Sequence, residues 1–253
     1  MTAKLHILMP VLNEEGNITR LLRGLEEFGK KIDGELSCRI ILVDDGSSDG
    51  TMNALDNFDS GLDITVLRHK QNLGPGAAFA TAFEYLRKRL NPSDWVVTME
   101  SDNTSSLQTL EQMLVRRKEG YECVLASPYS YGGGFVHTSV IRVAISHLGN
   151  TLVKIMFKLR GINTFSSFFR LYNANLMDRL YRSFGSRIVD STGFECMVEL
   201  LYKMVLVGAR ISEVEMKVDW SQREGKSKMR VIKTTRGYLR VMLKRTPWKT
   251  MAH

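Results

Sequence analysis

The chain has 253 residues, a net charge of +8, 43 % hydrophobic and 25 % charged residues, and three cysteines. Those proportions fit a globular chain large enough to bury a substantial core, and exclude a disordered or fibrous one. Cys38, Cys123 and Cys196 lie far apart with no CxxC spacing, which excludes a zinc or disulfide framework and points to a reducing compartment.

The predicted elements alternate over the first 130 residues. Residues 4–11 (KLHILMPV) read as a strand, followed by the polar turn NEEGN. Ile18, Leu21, Leu22, Leu25 and Phe28 then recur at helical spacing. Residues 38–44 form a second strand, the turn DDGSSDGT leads to a short helix through Met52 and Leu55, and 62–69 form a third strand. A helix over 77–90, a strand over 94–99, a helix from Ser106 to Gly120 and a strand over 122–127 complete this half. Such alternation predicts a mostly parallel sheet covered by helices on both faces. Ligands of such sheets bind beyond the carboxyl ends of the strands. The turns at 12–17, 44–51 and 100–106 all fall there.

After YGGGF (131–135) the pattern changes to long helices over 138–159 and 188–207 and a strand over 209–218. The most apolar stretches, 139–159 and 196–211, are interrupted by Lys154, Lys158, Glu199 and Lys203, so no membrane span is expected. The start, MTAKLHILMP, does not read as a secretory leader. From Arg223 to Lys249 there are ten Lys or Arg against one acid, Glu224. The positive charge therefore sits in a basic amphipathic C-terminal segment, 223–253, appended to a domain over 1–222. It implies phosphate-bearing partners: anionic lipid, nucleic acid or a phosphorylated substrate. No nucleic-acid recognition motif accompanies it; such a segment can lie at an anionic membrane surface without spanning it, or pack on the domain with its cations in water, and the chain is expected to be cytoplasmic and at most peripheral at the inner face.

Three turns carry acids. In VDDGSSDGT (43–51), Asp44 and Asp45 end a buried strand, and Ser47, Ser48 and Asp49 suit a helix cap. Taken alone, these residues serve equally as turn chemistry or as acceptors for nucleobase and ribose groups. Glu100 and Asp102 stand one residue apart after a strand, so both can face the same way.

Together Pro10-Val-Leu-Asn13-Glu14, Val43 to Thr51, and Arg68-His-Lys-Gln-Asn72-Leu-Gly74 resemble the family-2 glycosyltransferases. That resemblance implies a GT-A fold, Rossmann-like with helices flanking a central sheet. It also implies an inverting transfer from a nucleotide-sugar donor. Pro10, Leu12, Asn13, Glu14, Asp44, Asp45, Asn72 and Gly74 would line the nucleotide. Glu100-Ser101-Asp102 stands where the family has D-x-D, and would hold Mg²⁺ or Mn²⁺ against the donor diphosphate. Ala126-Ser-Pro-Tyr, Gly132-Gly-Gly134, Arg142, Ser146, Ser167-Phe-Phe-Arg170, Glu213-Val-Glu-Met216 and Arg223-Glu-Gly225-Lys-Ser227-Lys228 resemble the polyprenyl-phosphate (dolichol-phosphate) mannose and glucose synthases. The expected catalytic set is Asp102, Arg142, Ser146, Arg223 and Lys228, with a polyprenyl-phosphate acceptor. The chain departs from that pattern at Thr104, Pro128, Thr164 and Phe168.

Arg142, Ser146, Asn150, Lys154 and Lys158 recur every fourth residue, forming a slowly turning polar face on an apolar helix. A phosphate acceptor needs such cations and no base, because its second pKa is about 6. A hydroxyl acceptor would need a base, for which Asp190 and Glu195 are the candidates. A nucleotide-sugar binder without turnover is the third possibility.

Overall fold

The computed structural model describes residues 2–59, 61–157, 159, 161–225, 231–243 and 245–251. The first half follows the predicted alternation: β1 (Lys4–Val11), α1 (Glu15–Ile32), β2 (Ser37–Asp44), α2 (Thr51–Asp56), β3 (Asp63–Arg68), α3 (Pro75–Leu86), β4 (Trp95–Thr98), α4 (Leu107–Arg116) and β5 (Cys123–Ser127). Next come β6 (Gly134–Val136), α5 (Val140–Phe157), β7 (Arg170–Asn173), α6 (Ala174–Phe184), α7 (Cys196–Leu206), β8 (Ile211–Glu215), β9 (Lys217–Asp219), α8 (Val231–Leu243) and α9 (Arg245–Met251).

Among the described residues one sheet has seven strands, in the order β3-β2-β1-β4-β7-β5-β8. All neighbours run parallel except β7, which is antiparallel to both β4 and β5. Alternate residues of β1 feed two cores. Leu5, Ile7 and Met9 pack with α1 and α4, while Leu8 faces the side of α3, α6 and α7. The five apolar positions predicted for α1 are all buried.

Three predicted elements change. The helix expected over 188–207 begins only at Cys196. The Glu199 carboxylate accepts the N–H groups of Asp190 and Ser191, both at 2.8 Å, holding that stretch as a loop. The strand expected over 209–218 divides at Met216, whose N–H turns to Ser127 O (3.1 Å), and continues as β9 beside β6. Strands β6 and β7 and helix α6 were not expected; β6 and β7 are too short to show a period.

The carboxyl ends of β1, β2 and β4 lie side by side, with Val11 opposite Asp44 and Leu8 opposite Thr98. The antiparallel β7 brings Phe168 to this rim from the other direction, where Phe168 O accepts from Thr98 Oγ1 at 2.6 Å. All three acid-bearing turns therefore share one edge.

Candidate active site

The first two turns are laced together. Asn13 adopts a left-handed φ of 51°, a conformation asparagine tolerates. Its N–H donates to Ser47 Oγ (2.9 Å) and its Oδ1 accepts from Ser48 N (2.8 Å). Glu14 N donates to Thr51 Oγ1 at 2.8 Å. Asp44 accepts Ser47 N at 3.0 Å and faces Arg68 Nε at 3.6 Å. Asp45 shapes the third segment: its carboxylate accepts Leu73 N (2.9 Å) and Gly74 N (2.8 Å) and pairs with His69 Nδ1 (2.7 Å). Gly74 has φ +100°, and a Cβ there would lie 2.3 Å from Thr192 O, so only glycine fits. Asn72 is exposed beside this turn; Pro10 and Leu12 are half-buried at the rim. The structure thus brings all eight nucleotide-lining candidates to one edge, with Asp45 turned to the backbone of the Leu73–Gly74 turn.

Glu100 and Asp102 stand at the end of β4. Glu100 accepts Phe168 N through Oε1 (3.3 Å) and Ser105 Oγ through Oε2 (3.1 Å). Asp102 Oδ1 accepts from Thr104 Oγ1 (2.6 Å) and N (3.2 Å), while Oδ2 pairs with Arg223 Nη1 at 2.9 Å. Burial, and then the neighbouring Asp102 charge, push the Glu100 carboxyl up to about 7. Two neighbouring carboxyl groups, of which Asp102 is paired with Arg223, are a hard-oxygen donor set that a divalent cation fits, and the cation would relieve their repulsion. No group of three or more His, Cys, Asp or Glu suited to a metal occurs among the described residues. A cation here would take its other ligands from water or substrate phosphates.

The raised Glu100 carboxyl has a stability consequence. The group ionises at about 4.5 when unfolded and about 7 when folded. Its protonated form therefore favours the fold at low pH, and that contribution is lost as pH rises through 7. Glu100→Gln should stabilise the metal-free protein by about 1–3 kcal/mol at pH 8, while leaving it unchanged at pH 4. Gln can still accept from Phe168 N and donate to Ser105 Oγ. A melting temperature unchanged or lowered at pH 8 would contradict this.

The C-terminal strap crosses the same edge. Asp219 N donates to Thr104 O at 3.2 Å, and the 3₁₀ turn Trp220–Gln222 leads into Arg223. Arg142 lies over the Trp220 ring, 4.4 Å from its centroid. Ser146 Oγ bonds Tyr129 Oη at 2.7 Å, and Asn150 holds the following loop through Asn163 O (2.5 Å) and Phe165 N (3.3 Å). Lys228 and Lys158 lie outside the described residues. Of the hydroxyl-acceptor bases, Asp190 Oδ2 is 3.6 Å from the buried Lys203 Nζ. Glu195 lies against Gly237 of α8, where a Cβ would sit 2.5 Å from the carboxyl.

Helix α5 bonds to the protein through Ser146 and Asn150, lays the exposed Arg142 over Trp220, and leaves Lys154 exposed; only Val153 and Phe157 are buried. Ile141 (74 % exposed), Ile145, Leu148 (61 %), Leu152 and Ile155 (66 %) form an outward apolar stripe. Leu239 and Leu243 of the adjacent α8 are also exposed. With 18 residues and a mean hydropathy of 1.3, α5 is long and apolar enough to cross a bilayer by length and composition, which the interrupted sequence did not suggest.

The model of the family described as "Glycosyl transferase family 2" matches residues 6–181, a span running from β1 to α6. The chain belongs to glycosyl transferase family 2. Across 232 residues this family 2 enzyme is 25 % identical to a polyprenol monophosphomannose synthase of Mycolicibacterium smegmatis, covering 90 % of this chain and 82 % of the relative. It is 31 % identical over 122 residues to an undecaprenyl-phosphate 4-deoxy-4-formamido-L-arabinose transferase of Pseudomonas fluorescens, covering 47 % of this chain and 33 % of that one. A glucosyl-3-phosphoglycerate synthase of Mycobacterium tuberculosis, in complex with Mn²⁺, UDP-glucose and glycerol 3-phosphate, superposes with a TM-score of 0.62 at 17 % identity. The match covers 96 % of this chain and 79 % of that one. The GT-A fold expected for this glycosyltransferase is thereby borne out.

The residues that sequence reasoning missed in this family 2 site are Asn17, Phe168 as a backbone donor, and Trp220 as the platform for Arg142. Asn17 closes the N-E-E-G-N turn, and its partner Glu224 lies 207 residues away, so no local pattern marks it.

Proposed function

We propose that this glycosyltransferase moves a sugar from a nucleoside-diphosphate donor to the phosphate of a polyprenyl phosphate, with inversion, at an anionic membrane surface. The names of the two relatives support the acceptor class. Solved complexes of the fold contain Mn²⁺ with UDP-glucose, which supports a divalent metal and a nucleotide-sugar donor.

In this reading Pro10, Leu12, Asn13, Glu14, Asp44 and Asn72 surround the nucleotide, and Asp45 acts by holding the Gly74 turn. Glu100 and Asp102 would hold Mg²⁺ or Mn²⁺, which supplies charge neutralisation for the diphosphate leaving group. The acceptor phosphate, largely dianionic at pH 7, is already a nucleophile and needs cations to hold it near an anionic donor. Arg142, Arg223 and Lys228 take that role, with Ser146 fixing α5. Attack opposite the leaving diphosphate inverts the anomeric carbon.

One observation favours a lipid acceptor over a soluble one: the outward stripe of α5. A helix that presents an outward apolar stripe beside exposed cations suits a lipid surface. The exposed Lys154, Arg236 and Arg240 on α5 and α8 favour anionic headgroups, and would repel a second copy presenting the same charges. A hydroxyl acceptor is less favoured because the Asp190 carboxylate is turned to the buried Lys203.

The test incubates the protein with a panel of GDP- and UDP-sugars, Mn²⁺ and polyprenyl phosphate in anionic vesicles. Lipid-linked sugar is the expected product. Leu148→Asp with Leu152→Asp should cut vesicle-bound protein at least about 10-fold, while transfer to a short water-soluble prenyl phosphate persists. Sugar released only to water, or placed only on hydroxyl acceptors, would overturn the reading.

A further inference from the structure

Asn17 lies in the first turn of α1 with 2 % of its surface exposed, yet every polar atom of its side chain is used. Nδ2 donates to Glu14 Oε2 (2.7 Å) and to Glu224 O (3.1 Å); Oδ1 accepts Glu224 N (3.0 Å). Its own backbone carbonyl accepts from Asn103 Nδ2 at 3.0 Å. One residue therefore meets the turn after β1, the Glu100–Asp102 turn and the C-terminal strap, the latter two through residues 86 and 207 positions along the chain. Arg20, one turn further along α1, donates to Gln222 O. Between these two fastenings sits Arg223, whose guanidinium is on Asp102.

We propose that Asn17 is a positioning residue for the transfer reaction: its amide latches the backbone of Glu224 and so sets Arg223 against Asp102. An amide is the side chain for this task, since it donates to a carbonyl and accepts from an N–H of the same residue. The latch reads main chain only, so it is indifferent to the side chain at position 224. Arg223 occupies the Asp102 carboxylate, so an entering divalent cation competes with it there. The latch therefore holds the strap's arginine at the site and raises the cation concentration needed to enter. The idea rests on the reading of Asp102 as a metal ligand and Arg223 as a phosphate-holding group; the fastening of the strap does not.

The measurement is amide hydrogen exchange at residue 224 of the metal-free full chain, with Mn²⁺ binding followed by electron paramagnetic resonance without donor. Asn17→Ala should speed exchange at 224 by about 10-fold or more. It should tighten Mn²⁺ binding several-fold while lowering sugar transfer. Opposite movement of the two readouts is the signature, since a merely structural defect would weaken both. Arg20→Ala, at an exposed position, gives the same directions with smaller amplitude and carries the test if Asn17→Ala does not fold. Glu224→Ala keeps the backbone latch and should exchange like wild type. Unchanged exchange at 224 in Asn17→Ala, or in Arg20→Ala where that variant carries the test, overturns the latch. Faster exchange with Mn²⁺ affinity unchanged or reduced overturns the competition. Neither result depends on transfer, so a failure of the polyprenyl-phosphate reading would be seen separately, as wild-type protein lacking lipid product.

Discussion

Asp102→Ala is expected to lower Mn²⁺-dependent sugar transfer at least 100-fold, on the order of the loss when one charge-stabilising group is taken from a transition state, with the fold intact. In the proposed reading the carboxylate would contribute one hard ligand to a site whose other protein oxygen is that of Glu100, a carboxyl raised by burial. It also carries the 2.9 Å ion pair to Arg223. Removing it would take away a residue proposed to hold the cation that neutralises the diphosphate, and leaves Arg223 without this anchor. Asp102→Asn keeps the shape and the bond from Thr104 while removing the charge, so it should be nearly as inactive. Mn²⁺ titration, circular dichroism and initial rates on the two variants check the point. Retained turnover with bound manganese in Asp102→Ala would end the metal account of this edge.

The largest stability loss is expected at Lys203. Both Lys203 and Glu199 are completely buried, and Nζ donates to Glu199 Oε1 at 2.5 Å and to Arg187 O at 2.5 Å. The ammonium also sits 4.6 Å from the Trp248 ring centroid. Lys203→Met leaves the Glu199 charge in the core with only two N–H partners, which costs about 3–5 kcal/mol. Glu199→Gln on that background should recover part of the loss, because the stranded charge is gone. Denaturant midpoints of the single and double variants give the comparison, and a loss below about 1 kcal/mol would show the pair to be relaxed by water. The effect should reach activity as well. Glu199 holds the 190–191 loop, and Thr192 O in that loop accepts Gly76 N at 2.8 Å beside the Gly74 turn.

The parallel half of the fold was legible because β1, β2 and α1 have long periodic patterns and acid-rich turns at their ends. Asp44, Asp45, Glu100 and Asp102 could be placed on one edge from strand alternation alone. The second half was harder. Strand β7 has four residues and enters the sheet antiparallel between strands that precede it, which no local pattern signals. Helix α5 was periodic, yet periodicity gives the faces of a helix and not which one points inward; here Ser146 and Asn150 bond inward while Ile141, Leu148 and Ile155 point out. Asp45 illustrates another limit. Its residue type suits a ribose, but its oxygens go to Leu73 N and Gly74 N. Arg223 and Asn17 meet only because distant segments close on each other, so their partnership is a tertiary fact. Lys228 falls outside the described residues, and its expected role stays a proposal.

The insertion of β7 between β4 and β5 bears on how the polypeptide is made. Emerging from a ribosome, the stretch through Ser127 supplies five strands, but β4 and β5 have no hydrogen-bonded edge in common. Each must wait for Arg170–Asn173 before its outer backbone groups find partners, and until then those edges are open to pairing with a neighbouring nascent chain. A fragment cut where the helical half begins should therefore behave as a sticky intermediate, and chaperone occupancy during synthesis should peak before α6 has cleared the exit tunnel.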